Sequence, residues 1–175
     1  MKNSVRITSG QYRGREILTP GAGTHPMGER EKMALFNMIS SDLIGARVLD
    51  AYAGSGALGI EALSRGAKSC DFVEHSGEAA KIVKQNLLKL GILPDTFNVF
   101  KQNVVDFEPN ESYDIIIADP PYDDFRIDEI EHLVRFLKDG GVLVLSHPNQ
   151  INSIDGLKLL KSRRYSRAHI SIFVK

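Results

Sequence analysis

The sequence predicts a doubly wound α/β domain built on a mostly parallel sheet. Three observations carry that prediction. Strand-type and helix-type segments alternate from Arg47 onward, as a sheet with helices on both faces requires. Arg47 to Glu61 reads as a buried strand, a glycine turn and a helix. Tyr113-Asp114-Ile115-Ile116-Ile117-Ala118 is a nearly continuous apolar run, which suits a strand covered on both sides.

With 175 residues and 42% hydrophobic content, the chain can bury one substantial core, and its length argues for a single domain with a small appendage. It contains no repeats, no low-complexity run and no apolar stretch of membrane-spanning length. Met1-Lys2-Asn3-Ser4-Val5 leads directly into strand-like sequence, so no secretory leader is expected. The lone Cys70 excludes an internal disulfide and a cysteine metal cluster, in keeping with a reducing cytoplasm. His25, His75, His132, His147 and His169 show no paired ligand spacing, and no metal is expected.

The formal net charge is zero but unevenly placed: residues 1–32 carry six basic and three acidic side chains, residues 33–155 ten and nineteen, and residues 156–175 six and none. The ends are thus about +3 and +6 and the middle about −9, an asymmetry that suggests a polyanion held at the termini. A solvated basic tail is the plainer alternative.

In chain order, residues 4–19 alternate apolar and polar side chains around two glycines and predict a β-hairpin with Arg6, Arg13 and Arg15 exposed. A hairpin this short is marginal alone, so it should lean on the main domain or order on a partner. Pro20-Gly21-Ala22-Gly23 is a flexible connection. Met33, Leu35, Phe36 and Ile39 fall at helix spacing, with acids in the first turn where the helix dipole favours them, so a helix is expected over Glu29 to Ser40, closing over the sheet.

The loop Gly54-Ser55-Gly56-Ala57-Leu58-Gly59 fits G-x-G-x-x-G. Gly54 and Gly56 permit a tight turn and close approach to a ligand, while Gly59 lets the helix sit close on the sheet. The pattern alone does not separate a nicotinamide site from one for S-adenosylmethionine. Asp50 does help: an acid at the strand end repels a pyrophosphate over the helix terminus but attracts a sulfonium and an ammonium. Asp50 as a turn former or helix cap is the structural alternative.

Ser69 to Glu74 is a second strand ending in an acid. Glu74 lies twenty residues after Gly54, the distance at which an acidic side chain accepts hydrogen bonds from ribose hydroxyls; a surface glutamate capping the helix of Ser76 to Leu90 is the structural alternative. A helix is expected over Ser76 to Leu90 and a third strand over Thr96 to Phe100. The third strand leads to Asn103, whose amide either reads an adenine edge or makes an Asx-turn. The candidate cofactor contacts are Asp50, Tyr52, Gly54, Ser55, Gly56, Glu74, Asn103 and Asp119.

The apolar strand Tyr113–Ala118 runs into Asp119-Pro120-Pro121-Tyr122. Two prolines donate no backbone hydrogen bonds, so the Asp119 and Pro120 carbonyls remain free acceptors in a rigid turn. An acid beside a free carbonyl and an aromatic face suits a planar substrate bearing an amino group. A helix over Ile127 to Leu137, a strand over Val142 to Leu145 and an antiparallel edge pair, Leu157–Tyr165 and Ala168–Val174, complete the chain.

These motifs resemble the class I S-adenosylmethionine-dependent methyltransferases, and more closely the RsmD family, bacterial enzymes that methylate the exocyclic N2 amine of a guanine in 16S ribosomal RNA. The resemblance rests on Arg6 to Arg15, Ala34-Leu35-Phe36-Asn37, Leu49 to Ala67 and Asp119-Pro120-Pro121-Tyr122. It implies a Rossmann-like seven-stranded sheet with an antiparallel edge strand. A β-hairpin extension over residues 1–24 would contact RNA and residues 25–175 would form the methyltransferase domain, cytoplasmic and monomeric. The partner would be 16S ribosomal RNA or a small-subunit assembly intermediate, touched by Arg6, Arg13, Arg15 and Arg30.

The chain departs from the family at His25, Met27 and Gly28, where relatives carry an Arg-Pro-Thr segment, which bears on how this segment closes over the site. In the expected reaction Asp119 and the Pro120 carbonyl accept the amine hydrogens and Tyr122 stacks on the extruded base. The absence of a cysteine at the Asp119 turn favours nitrogen over a ring carbon as methyl acceptor. The rival readings are a DNA adenine-N6 methyltransferase, a protein glutamine methyltransferase, which the basic ends disfavour, a nicotinamide oxidoreductase and a non-catalytic RNA-binding module.

Overall fold

The computed structural model describes residues 4–21, 27–165 and 168–175. Seven strands form one sheet in the order β5-β4-β3-β6-β7-β9-β8, and β1 and β2 form a separate antiparallel pair. The strands are β1 (Ser4–Arg6), β2 (Glu16–Leu18), β3 (Arg47–Asp50), β4 (Ser69–Val73), β5 (Phe97–Phe100), β6 (Tyr113–Ala118), β7 (Leu137–His147), β8 (Lys158–Tyr165) and β9 (Ala168–Val174). The helices are α1 (Glu29–Met38), α2 (Ala57–Ser64), α3 (Gly77–Leu90) and α4 (Ile127–Val134).

The order reverses between β3 and β6, because the crossovers through α2 and α3 step one way and that through α4 steps the other. Each sheet face therefore buries its own core. Leu35 and Phe36 of α1, Ile60 of α2 and Val83 of α3 pack on Val48, Ile115 and Ile117. Ile130 and Leu133 of α4 pack on Leu49, Ile116 and Leu143. The alternation of Ile115 and Ile117 with Ile116 between the two cores explains why β6 has no polar face.

The carboxyl ends of β3, β4 and β6 lie side by side, since Asp50 pairs with Phe72 on one side and Ile117 on the other. That is the switch point where open α/β sheets take their ligands. Gly59 secures the approach of α2 to the sheet: a Cβ there would lie 2.3 Å from a Phe72 ring carbon and 2.7 Å from the Cys70 sulfur.

The hairpin has three-residue strands and leans on the main domain. Ile7 and Ile17 are fully buried against the helices, and Arg6, Arg13 and Arg15 are exposed as expected. The Asn86 side chain on α3 donates to the Leu18 carbonyl and accepts from the Leu18 N–H, at 2.9 and 2.8 Å.

Some boundaries differ from the sequence expectation. The helix expected over Ile127 to Leu137 ends at Val134, and Leu137 instead opens β7, where it pairs with Tyr113. Apolar spacing cannot distinguish the last turn of a helix from the first residue of the next buried strand. Pro94–Thr96 is a short 3₁₀ turn, so the third strand starts at Phe97. The antiparallel strand β9 lies one in from the edge and β8 closes the sheet. The connection Pro20-Gly21-Ala22-Gly23 falls partly outside the described residues, as do His25 and Pro26.

Candidate active site

The glycine loop leaves β3 at Asp50 and enters α2 through Gly56, whose φ of 80° is left-handed and open to glycine at little cost. The Asp50 carboxylate, 1% exposed, accepts the Gly59 N–H at 2.8 Å and so caps the first turn of α2. Both sequence readings of Asp50 therefore meet in one place: it is a cap, and it is an acid at the strand end. Burial pushes its carboxyl up to about 7, opposed by the Gly59 N–H, with Asp119 and Glu74 adding repulsion.

Glu74 follows β4 and is buried. One of its oxygens accepts the Gly54 N–H at 2.8 Å and the other accepts the Ser76 N–H at 2.7 Å. The side chain thus clamps the glycine loop to the start of α3; the oxygen that holds Ser76 also faces His75 Nδ1 at 3.2 Å, and the one that holds Gly54 keeps a lone pair for a further donor.

Asp119 stands one residue past the end of β6, beside Ser146, since Ala118 pairs with Leu145. Burial pushes its carboxyl up to about 6, opposed by the neighbouring Ser146 and Tyr122 hydroxyls, with Glu31 of α1 adding repulsion. The Tyr122 and Ser146 hydroxyls share a 2.6 Å hydrogen bond. The phenol is pushed up to about 12, first by burial and then by the Asp119 charge. Glu31 also bonds the Gly28 N–H at 2.8 Å, so the first turn of α1 stands near this corner.

The structure brings Asp50, Gly54, Gly56, Glu74, Asp119, Pro120 and Tyr122 to one rim. Tyr52 reaches it too, its hydroxyl donating to Glu129 of α4 at 2.8 Å. Ser55 is buried, and its carbonyl accepts from Asn86 at 2.9 Å. Asn103 is exposed and its amide donates to the Asp106 carboxylate at 3.2 Å, a side-chain contact distinct from the Asx-turn of the alternative reading. Arg30 is exposed on α1, and Arg6 is paired with Glu16 at 3.6 Å.

Sequence reasoning missed Ser146, Glu31, Glu129 and Asn86. Ser146 was within reach of the strand-end rule, because it directly follows the apolar run Val142–Leu145. The other three are placed by helix packing and carry no local signal.

Asp50 and Asp119 form no ion pair among the described residues. A rim that gathers the carboxylates of Asp50, Glu74 and Asp119, with no Lys or Arg among the described residues paired to them, fits a positively charged ligand and disfavours a pyrophosphate. Among the described residues no cluster of His, Cys, Asp and Glu is arranged to hold a metal. Among the described residues no helix is long and apolar enough to cross a membrane.

Residues 5–174 match the family described as Conserved hypothetical protein 95. The chain belongs to this family, that of RsmD. Its relatives include Ribosomal RNA small subunit methyltransferase D of Buchnera aphidicola, 31% identical over 98% of this chain and 92% of that one. The enzyme of the same name from Escherichia coli K12 is 35% identical over 79% of this chain and 69% of its own. The solved structure of yhhF from Escherichia coli superposes with a TM-score of 0.87 at 26% identity, covering 98% of each chain.

Proposed function

We propose that this chain is an S-adenosylmethionine-dependent methyltransferase that acts on the exocyclic N2 amine of a guanine in 16S ribosomal RNA, in the cytoplasm and as a monomer. The observation that carries the reading is the rim itself: uncompensated carboxylates at the ends of β3 and β6 beside a proline-stiffened corner with a phenol. Family membership and the names of the rRNA-methylating relatives support the substrate class.

S-adenosylmethionine, when bound, supplies an activated methyl carbon whose bond to sulfur breaks with the electron pair leaving on sulfur. Asp50 and Glu74 hold the cofactor side of the rim, Asp50 through charge and Glu74 through its remaining lone pair toward ribose hydroxyls. The Asp119 carboxylate and the Pro120 carbonyl accept the two amine hydrogens and turn the nitrogen lone pair toward the cofactor. As nitrogen gains positive charge, Asp119 stabilises it and then takes the proton that nitrogen releases. Positioning of this kind can lower a barrier by about 7–11 kcal/mol. Ser146 and Tyr122 set the Asp119 carboxylate in place, and the ring of Tyr122 offers a face to the unstacked base. Arg6, Arg13 and Arg15 of the hairpin within residues 1–24, together with Arg30, contact the RNA backbone.

The test is methylation of small ribosomal particles, protein-free 16S rRNA and duplex DNA by the same preparation, with the modified base mapped by mass spectrometry. Labelled N2-methylguanine in the ribosomal RNA is expected. Methyl transfer to DNA adenine alone, or cofactor competition by NADH, would overturn the assignment.

A further inference from the structure

We propose that the exposed edge of β8 is a second RNA-binding surface, a track of cations that holds the phosphate backbone beside the methyl-transfer corner. The inference rests on the reading of the chain as an rRNA methyltransferase. Lys158, Lys161, Arg163 and Arg164 are all exposed on this strand, and none forms an ion pair among the described residues. Three cations elsewhere are, by contrast, committed to the fold. Arg65 is held by Glu61 at 2.9 Å, Lys138 by Asp114 at 2.7 Å, and Lys175 by the Leu137 carbonyl at 2.8 Å.

Register places this track relative to the chemistry. Arg163 pairs with Ile170 and Ile170 with Ser146, and Ser146 bonds Tyr122 at 2.6 Å at the Asp119 corner. Three strand spacings of about 4.8 Å thus put Arg163 roughly 14 Å from that corner. Arg164 lies one step further toward the carboxyl rim, opposite His169. Lys158 and Lys161 trail back along the edge. The basic hairpin packs on α2 and α3, which cover β3 to β5, whereas β8 closes the far side of the sheet. The rim therefore lies between two basic flanks.

Charges on an edge strand, Lys above all, also block edge-to-edge pairing, but that purpose needs one or two of them and does not require the whole terminal segment to lack acids. Residues 156–175 contain six basic side chains and no acid. A single sign along this edge is what a polyanion selects.

The experiment compares the full chain with Arg163→Gln/Arg164→Gln and with Arg163→Glu/Arg164→Glu, measuring binding to protein-free 16S rRNA across a salt series. Neutralising two phosphate contacts should lower the slope of log affinity against log salt by about 1.4 and weaken binding on the order of tenfold. The Glu pair should weaken it further while the protein stays monodisperse and binds S-adenosylhomocysteine as before, which shows that the fold is intact. The loss should appear in KM for RNA. Wild-type affinity and salt slope in the Gln pair would overturn the track and leave the methyltransferase reading standing. Failure of the wild-type chain to bind or methylate 16S rRNA would overturn both.

Discussion

Two buried carboxylates in this molecule are treated in opposite ways. Glu61, in the seam between the hairpin, α1 and α2, is fully buried yet saturated. It accepts the Thr8 and Ser9 N–H groups at 2.9 and 3.0 Å, the Thr8 hydroxyl at 2.6 Å and Arg65 at 2.9 Å. It also faces Lys32 at 3.4 Å. Burial works to raise its carboxyl, but these partners hold it below the usual range. Asp50 on the rim is as deeply buried and receives one backbone N–H. Its carboxyl is pushed up to about 7. The seam is complete within the chain, whereas the rim has charge waiting for a partner. On the proposed function that difference separates a structural acid from a ligand-binding one, and each substitution below either breaks or sharpens it.

Glu61→Ala should have the largest effect. It leaves the Lys32 ammonium, 2% exposed, without its main partner, and breaking a buried pair costs about 3–5 kcal/mol. A large fall in the thermal midpoint is expected, with the hairpin amides losing protection in hydrogen exchange. A midpoint within a degree or two of wild type would show that the seam is not a stabilising unit.

Asp119→Ala should reverse that profile. Turnover is expected to fall by roughly 10²–10³-fold, as for loss of one preorganised electrostatic group, while the thermal midpoint and S-adenosylhomocysteine affinity stay near wild type. Full activity would remove Asp119 from the chemistry.

The pH dependence separates the two acids without removing either. Asp50 and Asp119 have carboxyls raised above 3.8 to about 7 and about 6, so their contribution to stability is complete below 3.8 and is lost as pH rises through those values. Glu61 is lowered from 4.5, so its contribution is present above 4.5 and is lost only as pH falls through its lower folded value. Between about pH 4 and 7 the free protein should thus lose stability with rising pH, and Asp50→Asn should flatten that limb. A cationic cofactor favours the ionised Asp50, so S-adenosylmethionine affinity should rise by up to about tenfold per pH unit below about 7 and level off above it. Isothermal titration across that range, with the Asn variant as the flat control, reads the effect. An equal slope in both proteins would release Asp50 from this role.

Tyr122→Phe should be the mildest change. It deletes the 2.6 Å bond to Ser146 and keeps the ring, so a loss of about 1 kcal/mol, roughly fivefold in turnover, is expected. Tyr122→Ala should cost more, chiefly in KM for RNA, if stacking is the main use of the ring. Equal activity in the Phe and Ala variants would mean that the ring face contacts no base.

Much of this was legible in order along the chain. The glycine loop, Asp50, Glu74 and the Asp119-Pro120-Pro121-Tyr122 turn each sit at a strand end that local apolar pattern identifies, and the sheet brings those ends together. The boundary of α4 was not legible, because Leu137 continues an apolar spacing that serves a helix and a strand equally well. The role of Asn103 is not encoded locally either; in the structure its amide donates to the Asp106 carboxylate.

The sequence by itself determined the sheet, the identity of the rim acids and the proline corner, since these depend on contiguous residues and short-range sterics. Only the tertiary structure decided which acids are compensated. Asp50 and Glu61 are both single acids near the glycine loop, eleven positions apart, and what divides them is the hairpin folding back over α2. Contacts such as Thr8 with Glu61, 53 residues apart, follow from packing of the whole chain, and no local pattern encodes them.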